Sequence, residues 1–417
     1  MKFIRRMQDA QYKLFKKGAP LERLYPLYEA NDTFLFTPGE VTRGPSHVRD
    51  GIDLKRMMMT VVIALSPCML MAMYNTGYQA SLAIAGGALP LDAWQTRVFE
   101  AMGFTFESTS LIACTAYGSL FYLPIYLVTL AAGGFWESLF AVVRKHEINE
   151  GFLVTSALFP LTLAPTTPLW QVAVGITFGV VVGKEVFGGV GMNIFNPALM
   201  ARAFLFFAYP AQISGEKVWI AAQTSPDGYS GATLLARAFE GAPHTDTGIL
   251  SGAQALDDSV LVWWDAFIGR IPGSMGETSA LFCLFGACVL VLTRIGSWRT
   301  MAGCVAGSFV MVFILNLIGS ATNPMFDIPF YWHWVLGGFA FAAVFMATDP
   351  VSSSFTDLGK LVYGFSIGML GILIRVINPA YPEGWMLAIL FMNMFAPLID
   401  HYVVQANIRR REARNAA

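Results

Sequence analysis

The chain has 417 residues, of which 55% are apolar and only 13% are charged, and its mean hydropathy is +0.54. Soluble domains carry about 25% charged residues, so this composition excludes a water-soluble globular protein and predicts an all-α, polytopic protein embedded in a lipid bilayer. The net charge of −1 identifies no partner by itself, and we expect no nucleic-acid partner.

Residues 1–56 form a polar N-terminal arm. Near its start, five apolar residues recur at helical spacing among six basic ones: Phe3, Ile4, Met7, Leu14 and Phe15. This pattern predicts an amphipathic basic helix over residues 2–17. Such a helix either lies on an anionic membrane surface or packs on the protein's own cytoplasmic face, and both alternatives stay open.

About ten segments that cross the membrane fully or partly follow the arm. We place them at 57–76, 110–133, 151–167, 168–184, 194–210, 278–293, 300–319, 330–350, 358–376 and 384–404. Pro160 and Pro165 are expected to break the third segment, and Pro350 the eighth. Five segments fall in 57–210 and five in 278–404, separated by a loop at 211–277 and followed by a basic tail at 405–417.

The distribution of lysine and arginine predicts the orientation through the positive-inside rule. With the N-terminus in the cytoplasm, 21 basic residues fall inside and 5 outside, while Arg202 lies within a span. Both termini are therefore expected in the cytoplasm and the 211–277 loop on the outside.

Three echoes between the two halves indicate an internal repeat. Ala157-Leu158-Phe159 returns as Ala343-Val344-Phe345, a glycine-spaced helix follows in each half, and Asn-Pro-Ala occurs at 196–198 and 378–380. With five segments in each half, the second copy must be inverted. Inverted repeats with broken helices place a binding site near the midplane, where the repeats meet.

Ionisable side chains at membrane depth are expensive and therefore suggest function. The candidates are Glu137, Lys184, Glu185, Arg202, Asp349 and Asp400. Gly133 and Gly134 leave room for a planar ligand beside Glu137, although a snorkelling acid at the interface fits equally well. Lys184 and Glu185 also fit an interfacial pair, and Asp349 a helix cap.

Two amides, Asn193 and Asn196, frame a glycine-rich turn at 188–191. Amide groups can bind the edge of a flavin-like ring, but they can also satisfy the backbone of a broken helix. The five cysteines, which lie in apolar runs without a CxxC pair, are expected to be buried and to hold no metal cluster.

The outer loop contains Asp227, Ser230, Gly231, Ala232 and Thr233 in a stretch whose dipeptides are ordinary turn formers. The stretch resembles the Asp-x-x-(Ser/Thr)-Gly-Ala-Thr flavinylation motif. In proteins with that motif, a separate flavin transferase attaches FMN to the last threonine through a phosphoester. The resemblance implies covalent FMN on Thr233.

Over nearly its whole length the chain resembles the NqrB/RnfD family, and within it the membrane subunit NqrB of the bacterial sodium-translocating NADH:quinone oxidoreductase. The resemblance rests on residues 25–38, 47–50, 133–137, 183–189, 196–198 and 227–233. It implies two inverted five-helix repeats similar to urea and ammonium channels, in a six-subunit translocase of the bacterial inner membrane, with the flavinylated loop in the periplasm. It also implies non-covalent riboflavin and electron transfer to ubiquinone.

Matched residue by residue, the resemblance implies riboflavin contacts at Asn193 and Asn196. It implies quinone reduction at Gly133, Gly134 and Glu137 together with the arm. Asp349 and Asp400 match acids linked to Na+. The chain shows no NADH or FAD motif, so the NADH site is expected elsewhere in the complex.

Two alternatives remain. RnfD, the related membrane component of the Rnf complex, shares the flavinylated loop, but it begins close to its first span. A non-redox channel or transporter could use the same scaffold, since a fold does not determine a function. Such a protein would have no use for Thr233 on an accessible loop, so flavin content discriminates.

Overall fold

The computed structural model describes residues 2–16, 18–36, 54–145, 148, 151–213, 218–223, 233–243, 250–257, 259, 262–378 and 384–416. Within these residues the chain is predominantly helical, with two short antiparallel strand pairs in the loops. The all-α class is therefore confirmed.

The N-terminal arm forms two helices that pack on each other. They are α1 (Lys2–Phe15) and α2 (Tyr25–Leu35), joined by a 3-10 turn at Glu22–Leu24. Arg5 Nη1 lies 3.0 Å from Asp32 Oδ1, and the rings of Phe15 and Tyr28 stack 5.5 Å apart. The predicted amphipathic helix is present; it packs on α2, while side chains such as Phe3 remain exposed.

The first half of the chain supplies α3 (Leu54–Ala85), β1 (Leu89–Pro90), α4 (Trp94–Ala101), α5 (Leu111–Arg144), α6 (Gly151–Leu161), α7 (Leu169–Val181) and α8 (Pro197–Ala208), with a 3-10 turn at Glu185–Phe187. Local sequence explains where several helices begin. Ser110 caps α5 by accepting a hydrogen bond from Ala113 N at 3.3 Å. Asn196 caps α8, and Pro197 takes the first helical position, where a missing N–H costs nothing.

The connecting region contains α9 (Pro210–Ile213), β2 (Ala222–Gln223), α10 (Leu234–Glu240), β3 (Ala242–Pro243), β4 (Leu250–Ser251), α11 (Gly252–Asp257) and α12 (Trp263–Ile268). Strand β1 pairs antiparallel with β2, placing Leu89 opposite Gln223, and β3 pairs with β4, placing Ala242 opposite Ser251. These elements lie against the helices and are not a separate domain of their own.

The second half supplies α13 (Ala280–Leu292), α14 (Trp298–Ile318), α15 (Phe330–Val335), α16 (Phe339–Phe341), α17 (Asp357–Ile377) and α18 (Trp385–Ala416). A 3-10 turn at Pro324–Asp327 precedes α15, and a π-helical turn at Ala342–Met346 follows α16. Each of the ten predicted segments thus coincides with a helix or a broken helix.

The eighth predicted segment is broken, but Pro350 is not the cause. The break lies after α15, at Gly337 and Gly338, whose φ angles are +59° and +71°. Left-handed backbone costs other residues about 1–2 kcal/mol, so glycine is what permits this turn. Pro350 instead follows the end of the segment.

Arg375, which the charge count placed in an outer loop, is buried in the last turn of α17. Its guanidinium donates to the carbonyls of His333 (3.1 Å), Leu336 (3.0 Å) and Gly337 (2.9 Å). These carbonyls lose their helical partners at the break, so the buried cation satisfies them.

The contacts between helix ends fall into two groups. At one end, which we call the arm end, Glu29 of α2 lies 3.8 Å from Lys55 at the start of α3. At the other, which we call the loop end, Tyr117 near the start of α5 donates to Ala221 O at 2.9 Å, and Asn75 donates to Ile271 O at 2.9 Å. The helices of the bundle run between these two ends.

Helices α14 and α17 approach so closely that their backbones touch. A Cβ atom built on Gly307 would lie 2.0 Å from Phe365 O, and one built on Gly368 would lie 2.2 Å from Cys304 O. Glycine spacing of this kind allows close helix packing in membranes.

Within the described residues, six helices are long and apolar enough to cross a membrane: Lys55–Ala85, Leu111–Arg144, Leu169–Phe187, Trp298–Ile318, Asp357–Ile377 and Trp385–Asn415. Three shorter apolar helices, α6, α8 and α13, lie among them. The polytopic membrane class is confirmed, whereas the number ten and the inverted repeat stay predictions.

The two halves pack against each other through buried apolar side chains. A Cβ on Gly286 of α13 would lie 2.3 Å from the Phe345 ring and 2.7 Å from Ala64 O of α3. Four cysteines are buried as expected, but Cys288 is exposed on α13, because it points away from this seam.

Candidate functional site

A buried cluster of charges lies at the arm end. Lys184, just beyond α7, forms an ion pair with Glu137 of α5, and its Nζ lies 3.7 Å from Glu185 Oε1. Arg144 Nη1 donates to the Glu185 carbonyl at 2.7 Å and lies 3.4 Å from its carboxylate. Glu137 and Lys184 are each 3% exposed and Glu185 is 1% exposed, so none of them is a snorkelling or interfacial side chain. Burial at this depth requires such pairing.

The two glycines before this cluster face different surroundings. A Cβ on Gly133 would lie 2.4 Å from the Phe152 ring, so the space beside Gly133 is filled by Phe152 of α6. A Cβ on Gly134 would meet only Phe152, at 3.7 Å. Consecutive helical residues point about 100° apart, so they cannot open one common slot. The predicted room for a planar ligand exists at Gly134 alone.

Trp136 lies on the same stretch of α5 and is anchored to α7. Its Nε1 donates to Thr177 Oγ1 at 3.0 Å. This bond and the Glu137–Lys184 pair join the end of α5 to the end of α7. The arm end of these two helices is therefore held by polar contacts, which fix the position of Glu137.

A pocket opens at the arm end between the two halves of the chain. Its lining includes Thr155, Lys184, Asn193, Asn196 and Asp349, with about 690 Å³ of atom-free space including its open mouth. Apolar side chains of α3, α6 and α13 and the Phe345 ring complete the walls. A concave, mostly apolar site with a few convergent polar groups is what small-molecule sites have in common.

Each of the two amides in the pocket uses one of its ends for the backbone. Asn196 Oδ1 accepts from Ala198 N (3.0 Å) and Leu199 N (3.3 Å), whereas Asn193 Nδ2 donates to Phe195 O at 2.9 Å. The Asn196 nitrogen and the Asn193 oxygen take no part in these bonds. The pair thus presents one donor and one acceptor in addition to its structural role.

The two acids matched to sodium lie in different environments. Asp349 caps the turn that follows it, accepting from Ser352 Oγ at 2.6 Å and from Val351 N at 3.3 Å, and it borders the pocket. Asp400 of α18 accepts from both the hydroxyl and the N–H of Thr356, at 2.6 and 2.9 Å. It also accepts from Ser354 Oγ (2.6 Å) and Phe355 N (2.7 Å). Four donors on one carboxylate make Asp400 an anchor for the start of α17.

No cluster of three or more His, Cys, Asp or Glu side chains suited to a metal occurs in the part of the chain that the structure describes. The sodium assignments of Asp349 and Asp400 stay predictions.

Thr233 belongs to the loop end. It caps α10, its Oγ1 accepting from Ala236 N at 3.2 Å. Two residues on, Leu235 packs at the glycine break, where a Cβ on Gly337 would lie 2.5 Å from Leu235 and 2.6 Å from the Arg375 guanidinium. Arg375 ends α17, which at 21 residues is about 30 Å long and begins beside Asp400. The remaining motif residues, Asp227, Ser230, Gly231 and Ala232, lie outside the described residues.

The arm adds an aromatic group near the start of α3. Tyr28 packs against Tyr12, Phe15 and Tyr25, with ring centroids 5.5 to 6.1 Å apart. Burial raises the pKa of the Tyr28 phenol, and the nearby Asp32 carboxylate raises it further.

The structure therefore brings Lys184, Asn193, Asn196 and Asp349 together, with Glu137 one ion pair away. It keeps Thr233 and Asp400 apart from that pocket. Sequence reasoning missed Thr155 and Phe345 as lining residues and Phe152 as the group that fills the space at Gly133. These side chains come from helices distant in sequence, so no local pattern marks them.

Comparison with known proteins agrees with this arrangement. The model of the NQR2, RnfD, RnfE family matches residues 41–409. One subunit of the Na(+)-translocating NADH-quinone reductase of Pseudomonas aeruginosa, designated B, is 56% identical over 415 residues, covering 99% of both chains. The proteins of the same name from Chromohalobacter salexigens and Azotobacter vinelandii are also 56% identical, over 99% of this chain and 97% and 99% of their own lengths. The chain belongs to the NQR2, RnfD, RnfE family, as its motifs predicted.

Proposed function

We propose that this chain is the NqrB component of a sodium-translocating NADH:quinone oxidoreductase, which carries covalent FMN and riboflavin and delivers electrons to ubiquinone. The observation that carries the proposal is the full-length identity of 56% with relatives named for that enzyme. The geometry supports it, since two candidate sites lie at opposite ends of the bundle, as transfer across a membrane requires.

The proposed topology has ten segments in two inverted repeats, with both termini in the cytoplasm. Its support is the excess of basic residues on one side, 21 against 5, together with the grouping of helix ends into an arm end and a loop end. The arm end then faces the cytoplasm and Thr233 faces the periplasm of the bacterial inner membrane.

Riboflavin fits the pocket between the halves. A flavin ring has donors and acceptors along one edge, and the Asn196 nitrogen and Asn193 oxygen are the groups that the local backbone leaves for such an edge. Lys184 adds a cation at the wall, and apolar side chains provide surfaces for a planar ring. When bound, the flavin would supply the one- and two-electron redox chemistry, and the chain would bind it and exclude water.

Thr233 has the properties that covalent FMN requires. Its hydroxyl is half-buried at the start of α10, and the N-terminus of a helix favours a phosphate. Packing of Leu235 on the glycine break fixes this end of α10 to the bundle. A separate transferase would attach the FMN, because the chain shows no nucleotide-binding motif of its own.

Ubiquinone would bind at the arm end, beside Gly134 and Glu137 and against the arm. Gly134 leaves space on α5, and Glu137, held by Lys184, is a buried acid positioned to hold or donate a proton there. Asp349 and Asp400 are the candidates for Na+. NADH would be oxidised on another of six subunits.

Two other functions are less well supported. An RnfD protein would share the family model, but the arm of residues 1–56 and the relatives' names favour the NADH-quinone reductase. A channel would need neither flavin, so flavin content separates it from both.

The experiment is fluorescence of the purified chain in a denaturing gel under ultraviolet light. Wild type should fluoresce, Thr233→Ala should not, and Thr233→Ser should retain part of the signal because its hydroxyl survives. Thr177→Ala, which removes a hydroxyl from α7, is the matched control and should fluoresce fully. Fluorescence of the Thr233→Ala band would refute the attachment site, and a dark wild-type band from its native host would refute the flavoprotein.

A further inference from the structure

A second pocket, separate from the one described above, lies at the turn between α13 and α14. Arg294, Ser297, Trp298 and Arg299 of the turn line it, and Lys360 of α17 closes the other side. It encloses about 750 Å³ of atom-free space including its open mouth. The pocket therefore holds three basic side chains from two elements.

The charge in this pocket is only partly neutralised. Arg299 Nη1 pairs with Asp357 Oδ1 at 3.1 Å. Among the described residues, no carboxylate lies within ion-pairing distance of Arg294 or Lys360. The N-terminal end of α14, capped by Ser297, adds positive potential. An anionic group would therefore be stabilised here.

Arg294 occupies a backbone position that does not favour arginine. Its φ is +59°, in the left-handed region where glycine and asparagine are usual. Backbone bonds build the turn: Ile295 N and Gly296 N both donate to Leu290 O at 3.0 Å. A glycine at 294 would form the same turn without strain, so the arginine side chain contributes something other than the turn.

Apolar side chains surround the mouth of the pocket. Leu292 is 79% exposed, Leu358 56% and Trp298 54%, and Leu361 and Val362 are exposed beside them. Large apolar side chains next to a basic pocket are suited to the boundary between headgroups and acyl chains, where tryptophan is also enriched. An acidic protein segment would be recognised by the charge but would leave these apolar side chains unexplained.

We propose that this pocket binds the phosphate of an anionic glycerophospholipid, with the acyl chains lying against the exposed faces of α13 and α17. Basic pockets between membrane helices recognise such headgroups. The site is independent of the flavin and quinone sites proposed above.

The experiment is photolabelling of the purified complex in nanodiscs with phosphatidylglycerol carrying a diazirine in its acyl chain, at sub-saturating probe. Labelled peptides should map to residues 284–299 and 357–366. Arg294→Gly and Lys360→Gln should each reduce that labelling about fivefold, since each basic residue near a membrane surface contributes a factor of that size. Arg409→Gln, which removes an exposed arginine of the C-terminal tail, is the matched control and should leave the labelling unchanged.

Three results would overturn the proposal. One is equal labelling by a diazirine phosphatidylethanolamine, which is zwitterionic, or labelling unchanged in both variants. Another is loss of labelling on addition of inorganic phosphate, which would assign the pocket to a soluble anion. The last is disulfide trapping of Lys360→Cys to a neighbouring protein of the complex, which would assign it to a protein contact. Unchanged thermal unfolding of Arg294→Gly will show that the turn is intact.

Discussion

Lys184 and Glu137 form an ion pair in which each residue is 3% exposed, and this pair joins the end of α7 to α5. Removing one partner of a buried pair leaves a charge without compensation and costs about 3–5 kcal/mol, whereas replacing both partners with apolar residues is often neutral. The pair therefore offers a way to separate structural from chemical roles.

Glu137→Leu should lower both the melting temperature and quinone reduction, because it strands the Lys184 ammonium beside Glu185. The double variant Glu137→Leu/Lys184→Met should recover the melting temperature. We expect quinone reduction to stay lost in the double variant, since Glu137 is proposed to serve the quinone directly. Recovery of both properties would show that Glu137 is purely structural. The measurements are thermal unfolding in detergent and steady-state kinetics of the assembled complex.

Gly133 and Gly134 should respond differently to substitution. Gly133→Ala forces a Cβ to 2.4 Å from the Phe152 ring and should destabilise the protein by about 1–3 kcal/mol, and the added space in Gly133→Ala/Phe152→Leu should reverse this. Gly134→Val should leave stability nearly unchanged but raise the quinone KM, with electron entry from NADH intact. Unchanged quinone kinetics in Gly134→Val would place the quinone elsewhere.

Asn196 can be tested without removing its helix cap. Asn196→Asp keeps the oxygen that accepts from Ala198 N and Leu199 N, but it loses the side-chain N–H donors. We expect this variant to melt near wild type and to lose extractable riboflavin, while covalent flavin fluorescence persists. Asn196→Ala, which loses the cap as well, should also melt lower by about 1 kcal/mol of stability. Full riboflavin content in Asn196→Asp would exclude the amide nitrogen as a ligand.

Arg375 should be essential for stability at the glycine break. Arg375→Met removes the donors to three buried carbonyls, and each charge-assisted hydrogen bond contributes about 1.5–3 kcal/mol. Arg375→Lys keeps the charge but lacks the planar fork, so its melting temperature should fall between the two. Melting in the order wild type, lysine, methionine would support this role; equal melting of all three would contradict it.

The proposed topology predicts accessibility from opposite sides. In a background without the native cysteines, Arg97→Cys should react with an impermeant maleimide added outside intact cells. Arg410→Cys should react only after the membrane is opened. Reaction of both from outside would rule out a cytoplasmic C-terminus.

Hydropathy and turn chemistry predicted the helical class, the segment positions and the caps at Ser110 and Asn196, because these depend on residues close in sequence. The break in the eighth segment was placed at Pro350, since proline is the stronger local signal. Gly337 and Gly338 make the break instead, and the buried Arg375, which reaches them from another helix, stabilises it. That contact depends on tertiary packing, which a single sequence does not reveal.

The candidate site was predictable only in part for the same reason. Lys184 was recognised as an expensive charge, but its partner Glu137 lies 47 residues away on another helix. The two glycines before Glu137 looked alike in sequence, and only the position of Phe152 distinguishes them.

The contact between α14 and α17 has a consequence for how the protein moves. Cβ atoms on Gly303, Gly307, Gly364 and Gly368 would all fall within 2.7 Å of the facing backbone. With no side chains between them that could change rotamer, neither helix can slide or turn against the other without first separating. The two helices therefore act as a fixed strut between the membrane faces. Any rearrangement that accompanies turnover must occur at joints made by flexible side chains, such as the seam between the halves around Phe345.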